Sequence, residues 1–179
     1  MTTRCLMMLF FILILSSCTQ EDTLGAGKNI TESECSEETG EMYDYLTTRN
    51  FIRDIVNHPA FKEFGNAMLP RDDNTTYYDT RLTNMASLMP YHSHVDPDIV
   101  VGAINYMIDE ASDGKTIFYD LYTEQEKRET PTKASTGIFF FRGKPGAPFA
   151  IVNPGGGFSY VGSLHEGFPL ALKISQKGY

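Results

Sequence analysis

Phe149-Ala-Ile-Val-Asn-Pro-Gly-Gly-Gly-Phe158 is the stretch on which the reading of this chain turns. Phe149 to Asn153 are strand-like residues, Pro154 ends the run, and Gly155, Gly156 and Gly157 follow without a break. Three successive glycines carry a large backbone-entropy cost, so packing alone is a poor account of them. They suit a place where the main chain comes very close to another group with its N–H groups bare. Directly after a buried strand, that group is often a negatively charged oxygen. Downstream, Phe168, Leu170, Leu172 and Ile174 fit a helix starting near Glu166, with Pro169 in its first turn and Lys177-Gly178 at its end.

Upstream of the glycines the signals are those of strands. Lys115 to Tyr122 alternates and is rich in β-branched and aromatic residues, and Gly137 to Phe141 forms a second such run. A charged stretch, Glu124 to Lys133, separates them, and the turn Arg142 to Pro148 leads into Phe149. Before these strands the periodicity is helical. Asp96-Pro97 is an N-cap followed by proline, opening a helix through Ile99, Val100, Ala103, Ile104, Met107 and Ile108 that stops near Gly114. Tyr45, Leu46, Phe51, Ile52, Ile55 and Val56 predict a helix over 42–57 limited by Pro59, with a short one through Phe61 and Phe64. Residues 70–81 read as loop. The expected fold is therefore α/β. A helical extension (42–114) precedes the opening of a sheet (115–179) that has antiparallel first strands and then a parallel crossover.

The first seventeen residues stand apart. Arg4 gives a positive start, Leu6 to Leu15 is an unbroken apolar run, and Ser16-Ser17 precede Cys18. About ten apolar residues are too few to span a bilayer, which needs about twenty, but suit the core of a signal peptide. Leu15-Ser16-Ser17-Cys18 resembles the lipobox of bacterial lipoproteins. That resemblance implies cleavage before Cys18, acylation of its thiol, and a lipid-anchored protein of the bacterial cell envelope. Residues 18–41 are polar, acidic and nearly free of apolar side chains, so they read as a disordered tether. With Cys5 removed and Cys18 acylated, Cys35 is left alone and no internal disulfide forms.

The whole chain of 179 residues carries a net charge of −8, and −9 once Arg4 (+1) is removed. With no basic patch, nucleic acid is a poor partner. No cofactor motif is present. Tyr160 occupies the place of the third glycine of a dinucleotide fingerprint. Asn29 replaces the Ser/Thr of a phosphate loop at Gly25-Ala-Gly-Lys28. His92-Ser-His94 with Asp96 is weak as a metal site without a distant fourth ligand, and Asp109 to Gly114 lacks the ligands of a calcium loop. Ser159, Ser163 and His165 invite a local Ser/His mechanism. The plainer expectation is that Ser163 caps the helix with Glu166 as its capping-box partner, and that His165 is solvated or capping.

Ile151-Val-Asn-Pro-Gly-Gly-Gly-Phe158, set between strand and helix, resembles the oxyanion loop of α/β hydrolases of the esterase and lipase branch, with Pro154 where many members carry His. The resemblance covers roughly residues 115–179. It implies that Gly156 and Gly157 supply oxyanion-hole N–H groups, with Gly155 and Phe158 shaping the loop. It also implies a Ser nucleophile, an acid and a His later in the chain. No Gly-x-Ser-x-Gly occurs in these residues, so the nucleophile would lie past Tyr179 and this stretch would be inactive by itself. The implied substrate is a small ester or acylated sugar. The competing expectation is a non-enzymatic surface lipoprotein that binds a partner or carbohydrate.

Overall fold

One helix organises the molecule. α2 (Pro97–Ser112) buries Val100, Val101, Ala103, Ile104, Met107 and Ile108 along one side. Asp96 caps it, its carboxylate accepting the N–H groups of Asp98 at 3.0 Å and Ile99 at 3.4 Å, and Pro97 occupies the first turn where no N–H is needed. The computed structural model describes residues 42–70, 78–88, 94–157 and 159–179. The expected signal peptide, the tether, Cys18, Cys35, His92 and Phe158 lie outside them.

A layer of short turns covers one side of α2. It consists of α1 (Ile52–Val56), 3-10 turns at Pro59–Phe61, Gly65–Met68 and Leu82–Leu88, and a bridge between Phe51 and Arg81. The helix expected over 42–57 is confined to Ile52–Val56. The reason lies in side chains. The Asn105 amide on α2 engages both the N–H and the carbonyl of Leu46, each at 3.0 Å. Asn50 Oδ1 accepts the Thr47 N–H at 2.9 Å. Such bonds offer the backbone an alternative to a helical ladder.

On another side lies a two-stranded antiparallel hairpin. β1 (Phe118–Asp120) pairs with β2 (Gly137–Phe139) in the register Phe118–Phe139, Tyr119–Ile138 and Asp120–Gly137. The charged connection between them folds into α3 (Glu124–Glu129) and a 3-10 turn at Pro131–Ser135. Thr123 and Glu126 form a reciprocal capping box at the start of α3, and Lys127 bridges Asp120 at 2.8 Å and Glu124 at 2.9 Å.

After the glycines comes a wide π turn (Ser163–Gly167) and then α4 (Phe168–Gln176), with Pro169 in its first turn as expected. Gly178, at φ 94°, ends it in a conformation that favours glycine. An aromatic chain stitches the layers together. Phe64 stacks on Phe118 at 4.8 Å, Phe118 meets Phe139 at 4.9 Å, and Phe139 meets Phe168 at 4.7 Å. Phe141 joins Phe168 at 5.8 Å to Tyr106 at 5.6 Å. Leu46, Ile117, Leu164 and Phe168 thus share one buried cluster with α2.

The third expected strand differs. Phe149–Asn153 is not part of any ladder, and none of its backbone groups is hydrogen-bonded to a described residue. A strand needs a neighbour on at least one edge. Among the described residues neither edge has a partner, and Phe149 and Ile151 are 83% and 74% exposed.

Candidate functional site: the glycine loop and its groove

The loop begins where the unpaired segment ends. Its two ends are joined by the Gly162 N–H, which donates to the Gly155 carbonyl at 2.9 Å. Within it, the Gly156 carbonyl accepts the N–H groups of Ser159 at 2.9 Å and Tyr160 at 3.3 Å. Val161 N–H donates to the Pro70 carbonyl at 3.1 Å, fixing the loop to the helical layer. Gly156 lies at φ 149° and Gly157 at φ 57°. A Cβ on Gly156 would stand 1.7 Å from the Tyr160 carbonyl oxygen, whereas one on Gly157 would meet nothing within 4 Å. The two positions therefore need glycine for different reasons: Gly156 for both close approach and conformation, Gly157 for conformation alone.

The same bonds sort the N–H groups. Gly155 donates to Glu166 Oε2 at 3.0 Å. The N–H groups of Gly156 and Gly157 have no acceptor among the described residues. Glu166 thus takes a different place from the capping box expected of it. The π turn explains this, because both Glu166 N–H (3.0 Å) and Gly167 N–H (3.1 Å) donate to the Gly162 carbonyl. The wider turn presents the Glu166 side chain to Gly155. Ser163 does not cap α4; it opens the π turn and is buried. His165, expected to be solvated or capping, is also buried, with its ring 6.2 Å from that of Tyr160. Ser159 is exposed on the loop. The structure brings none of these three into a nucleophile–base pair.

Beside the loop runs a groove of about 950 Å³. Its walls are β2 with the residues that follow it, the segment Phe149–Pro154, and α4 through Ala171 and Ile174. The lining is mostly apolar, with Ile138, Phe140 and Ile151 exposed to it. The Phe140 N–H donates to the Ile117 carbonyl at 2.9 Å, so alternation turns the N–H and carbonyl groups of Phe139 and Phe141 to the opposite edge, toward the groove. At one end Gly178 accepts the Lys144 N–H at 3.3 Å, and the Ser175 hydroxyl donates to the Arg142 carbonyl. The chain leaving α4 therefore meets the residues that follow β2.

Among the described residues no group of three or more His, Cys, Asp or Glu side chains is placed to hold a metal ion. His94 is exposed in the turn before α2. No described helix is long and apolar enough to cross a membrane. Compared with protein-family models, with curated proteins and with solved structures, the chain matches none.

Proposed function

We propose that this chain is the N-terminal part of a lipid-anchored α/β hydrolase, a carboxylic-ester hydrolase whose serine nucleophile, acid and histidine lie past Tyr179. The observation that carries this reading is the pair of N–H groups on Gly156 and Gly157 that have no acceptor among the described residues, presented at the end of an extended apolar segment and ahead of α4. Attack on an ester carbonyl places negative charge on its oxygen. Fixed backbone donors at that point stabilise the charge without reorganisation, and glycine alone lets them come close enough.

The groove supports the same reading. An occupant must pair with the open edges of both β2 and Phe149–Asn153 and also cover Phe140 and Ile151. A β-strand meets both requirements. A strand that follows Phe149–Asn153 through α4 runs parallel to it by a right-handed crossover. The bond between Lys144 and Gly178 is where that pairing would begin. With such a strand in the groove, the antiparallel hairpin, the glycine loop and the crossover helix would make the opening half of a hydrolase sheet. Anchoring through Cys18 would hold the domain at the bacterial envelope. The substrate class, a small ester or acylated sugar, rests on the resemblance of the loop.

The reading frame past Tyr179 tests the proposal, together with labelling of the expressed protein by a serine-directed fluorophosphonate and an assay on a short acyl ester. A Gly-x-Ser-x-Gly whose serine takes the label, with ester turnover, is the expected result. A frame with no such serine would leave the chain as a surface lipoprotein that binds a partner or carbohydrate.

A further inference from the structure

We infer that Glu166 is the positioning residue of the glycine loop: its carboxylate clasps the loop shut, saturates Gly155 and leaves Gly156 and Gly157 as the donors. This rests on the hydrolase reading for its consequence, but its geometry stands without it. Glu166 Oε2 accepts the Gly155 N–H at 3.0 Å across eleven residues, beside the Gly162–Gly155 bond that closes the same loop. A Cβ on Gly162 would lie 2.9 Å from this oxygen and one on Gly155 would lie 3.3 Å from it. The carboxylate therefore fills the space that two missing side chains leave, against Gly162, which is buried.

The arrangement decides which N–H groups face outward. Of the three consecutive glycines, only Gly155 has its N–H turned inward onto a charged acceptor. Hydrogen bonds to charged groups are stronger than neutral ones. Such a bond fixes the Pro154–Gly155 peptide plane. The Gly162 N–H on the Gly155 carbonyl and the Ser159 N–H on the Gly156 carbonyl fix the next two planes, so the clasp at the first corner sets the frame in which the Gly156 and Gly157 N–H groups point outward. Pro154 adds to this by packing on Gly167, where a Cβ would lie 3.5 Å from the Pro154 ring. The ring and the carboxylate hold the first corner of the loop from either side, both anchored in the turn that starts α4. A negative charge near an oxyanion opposes its formation, so the carboxylate is useful there only as an acceptor. An uncharged acceptor of the same shape should therefore replace it.

The test compares wild type, Glu166→Ala, Glu166→Gln and Gly162→Ala in the protein extended past Tyr179. Amide exchange is measured over residues 155–162, and kcat and KM are measured separately on a short acyl ester. Glu166→Ala should speed exchange across the loop by about tenfold or more while leaving α2 unchanged. It should lower kcat by about a hundred-fold with KM little altered, as expected when a reacting group is misplaced by about 1 Å. Glu166→Gln should restore both. Gly162→Ala, which pushes a methyl group against the carboxylate, should mimic Glu166→Ala. A Glu166→Ala variant with wild-type loop exchange overturns the clasp. A Glu166→Gln variant with full protection but no turnover keeps the clasp and overturns the positioning role, because the charge itself would then be essential. If wild type cleaves no ester, the hydrolase reading falls, and loop exchange in the same variants still decides the clasp.

Discussion

Glu110 Oε2 lies 2.7 Å from Arg142 Nε, tying the last turns of α2 to the chain that follows β2. The other oxygen of Glu110 accepts Lys115 Nζ at 2.7 Å, and Arg142 also donates to the Thr116 carbonyl at 2.7 Å. One carboxylate, only 10% exposed, thus fixes the wall of the groove to the helical layer.

Glu110→Ala should therefore destabilise the protein more than Arg142→Ala. Removing the acid strips both Lys115 and the 29% exposed Arg142 of their shared carboxylate, whereas Arg142→Ala leaves Glu110 still paired with Lys115. The loss expected is about 2 kcal/mol, below the 3–5 kcal/mol typical of fully buried pairs because water still reaches Arg142. Urea unfolding of the two variants measures the difference. Equal midpoints for Glu110→Ala and wild type would show that the pair contributes nothing.

The glycines are not interchangeable. Gly156→Ala places a methyl group against the Tyr160 carbonyl and should rebuild the loop. In the complete protein it should lower ester turnover about a hundred-fold or more, the effect of losing an oxyanion donor. Gly157→Ala meets open space and carries only left-handed strain, roughly 1–2 kcal/mol, so its turnover should fall far less. Steady-state rates with circular dichroism as the folding control separate the two. Equal losses would mean that conformation, not the Tyr160 contact, sets the requirement at Gly156.

For the anchor, Cys18→Ser should abolish incorporation of labelled fatty acid and release the protein from the membrane fraction. A single acyl chain binds only marginally, so stable anchoring needs several on one cysteine. Labelled lipid remaining on the variant would refute the lipobox reading.

Glu126 gives a pH signature. The backbone N–H of Thr123, then its hydroxyl, hold the Glu126 carboxyl below its ordinary value. A folded-state pKa below the unfolded one means that the stabilisation is present above the unfolded value. It is lost as pH falls through the folded one. α3 should therefore fray only in acid, as pH falls below the ordinary carboxylate range. In Thr123→Ala the titration of Glu126, followed by NMR, should move back up toward the ordinary range. An unchanged titration would show that the capping box is not its cause.

Some elements could be read from the chain because their causes are local. Asp96-Pro97 and Gly114 bound α2 within a residue or two, and Pro169 and Gly178 bound α4. α3 carries a local signal as well, Thr123 with Glu126 three residues on, but it buries no residue fully and has no apolar stripe. The helix expected from Tyr45 onward is shorter because an amide 59 residues away on α2 captures Leu46. Nothing near Leu46 in sequence announces that. Phe149–Asn153 has the composition of a strand, yet a ladder is a property of two segments. Of the candidate site, the three glycines were visible as glycines. The differing needs of Gly156 and Gly157, and the grip of Glu166 on Gly155, arise from a five-residue π turn that no simple spacing rule signals.

The buried cluster around α2 has a consequence for the order of assembly. Apart from Leu164 and Phe168, all its fully buried members fall between Leu46 and Ile117. Contacts of modest sequence separation close early, and chains emerge from the ribosome N-terminus first. The helical layer can thus be finished while the glycines are still being synthesised. Pro70, at its edge, then already offers the carbonyl that will receive Val161. The helical layer works as a mould: the glycine loop is cast against a surface that has already set.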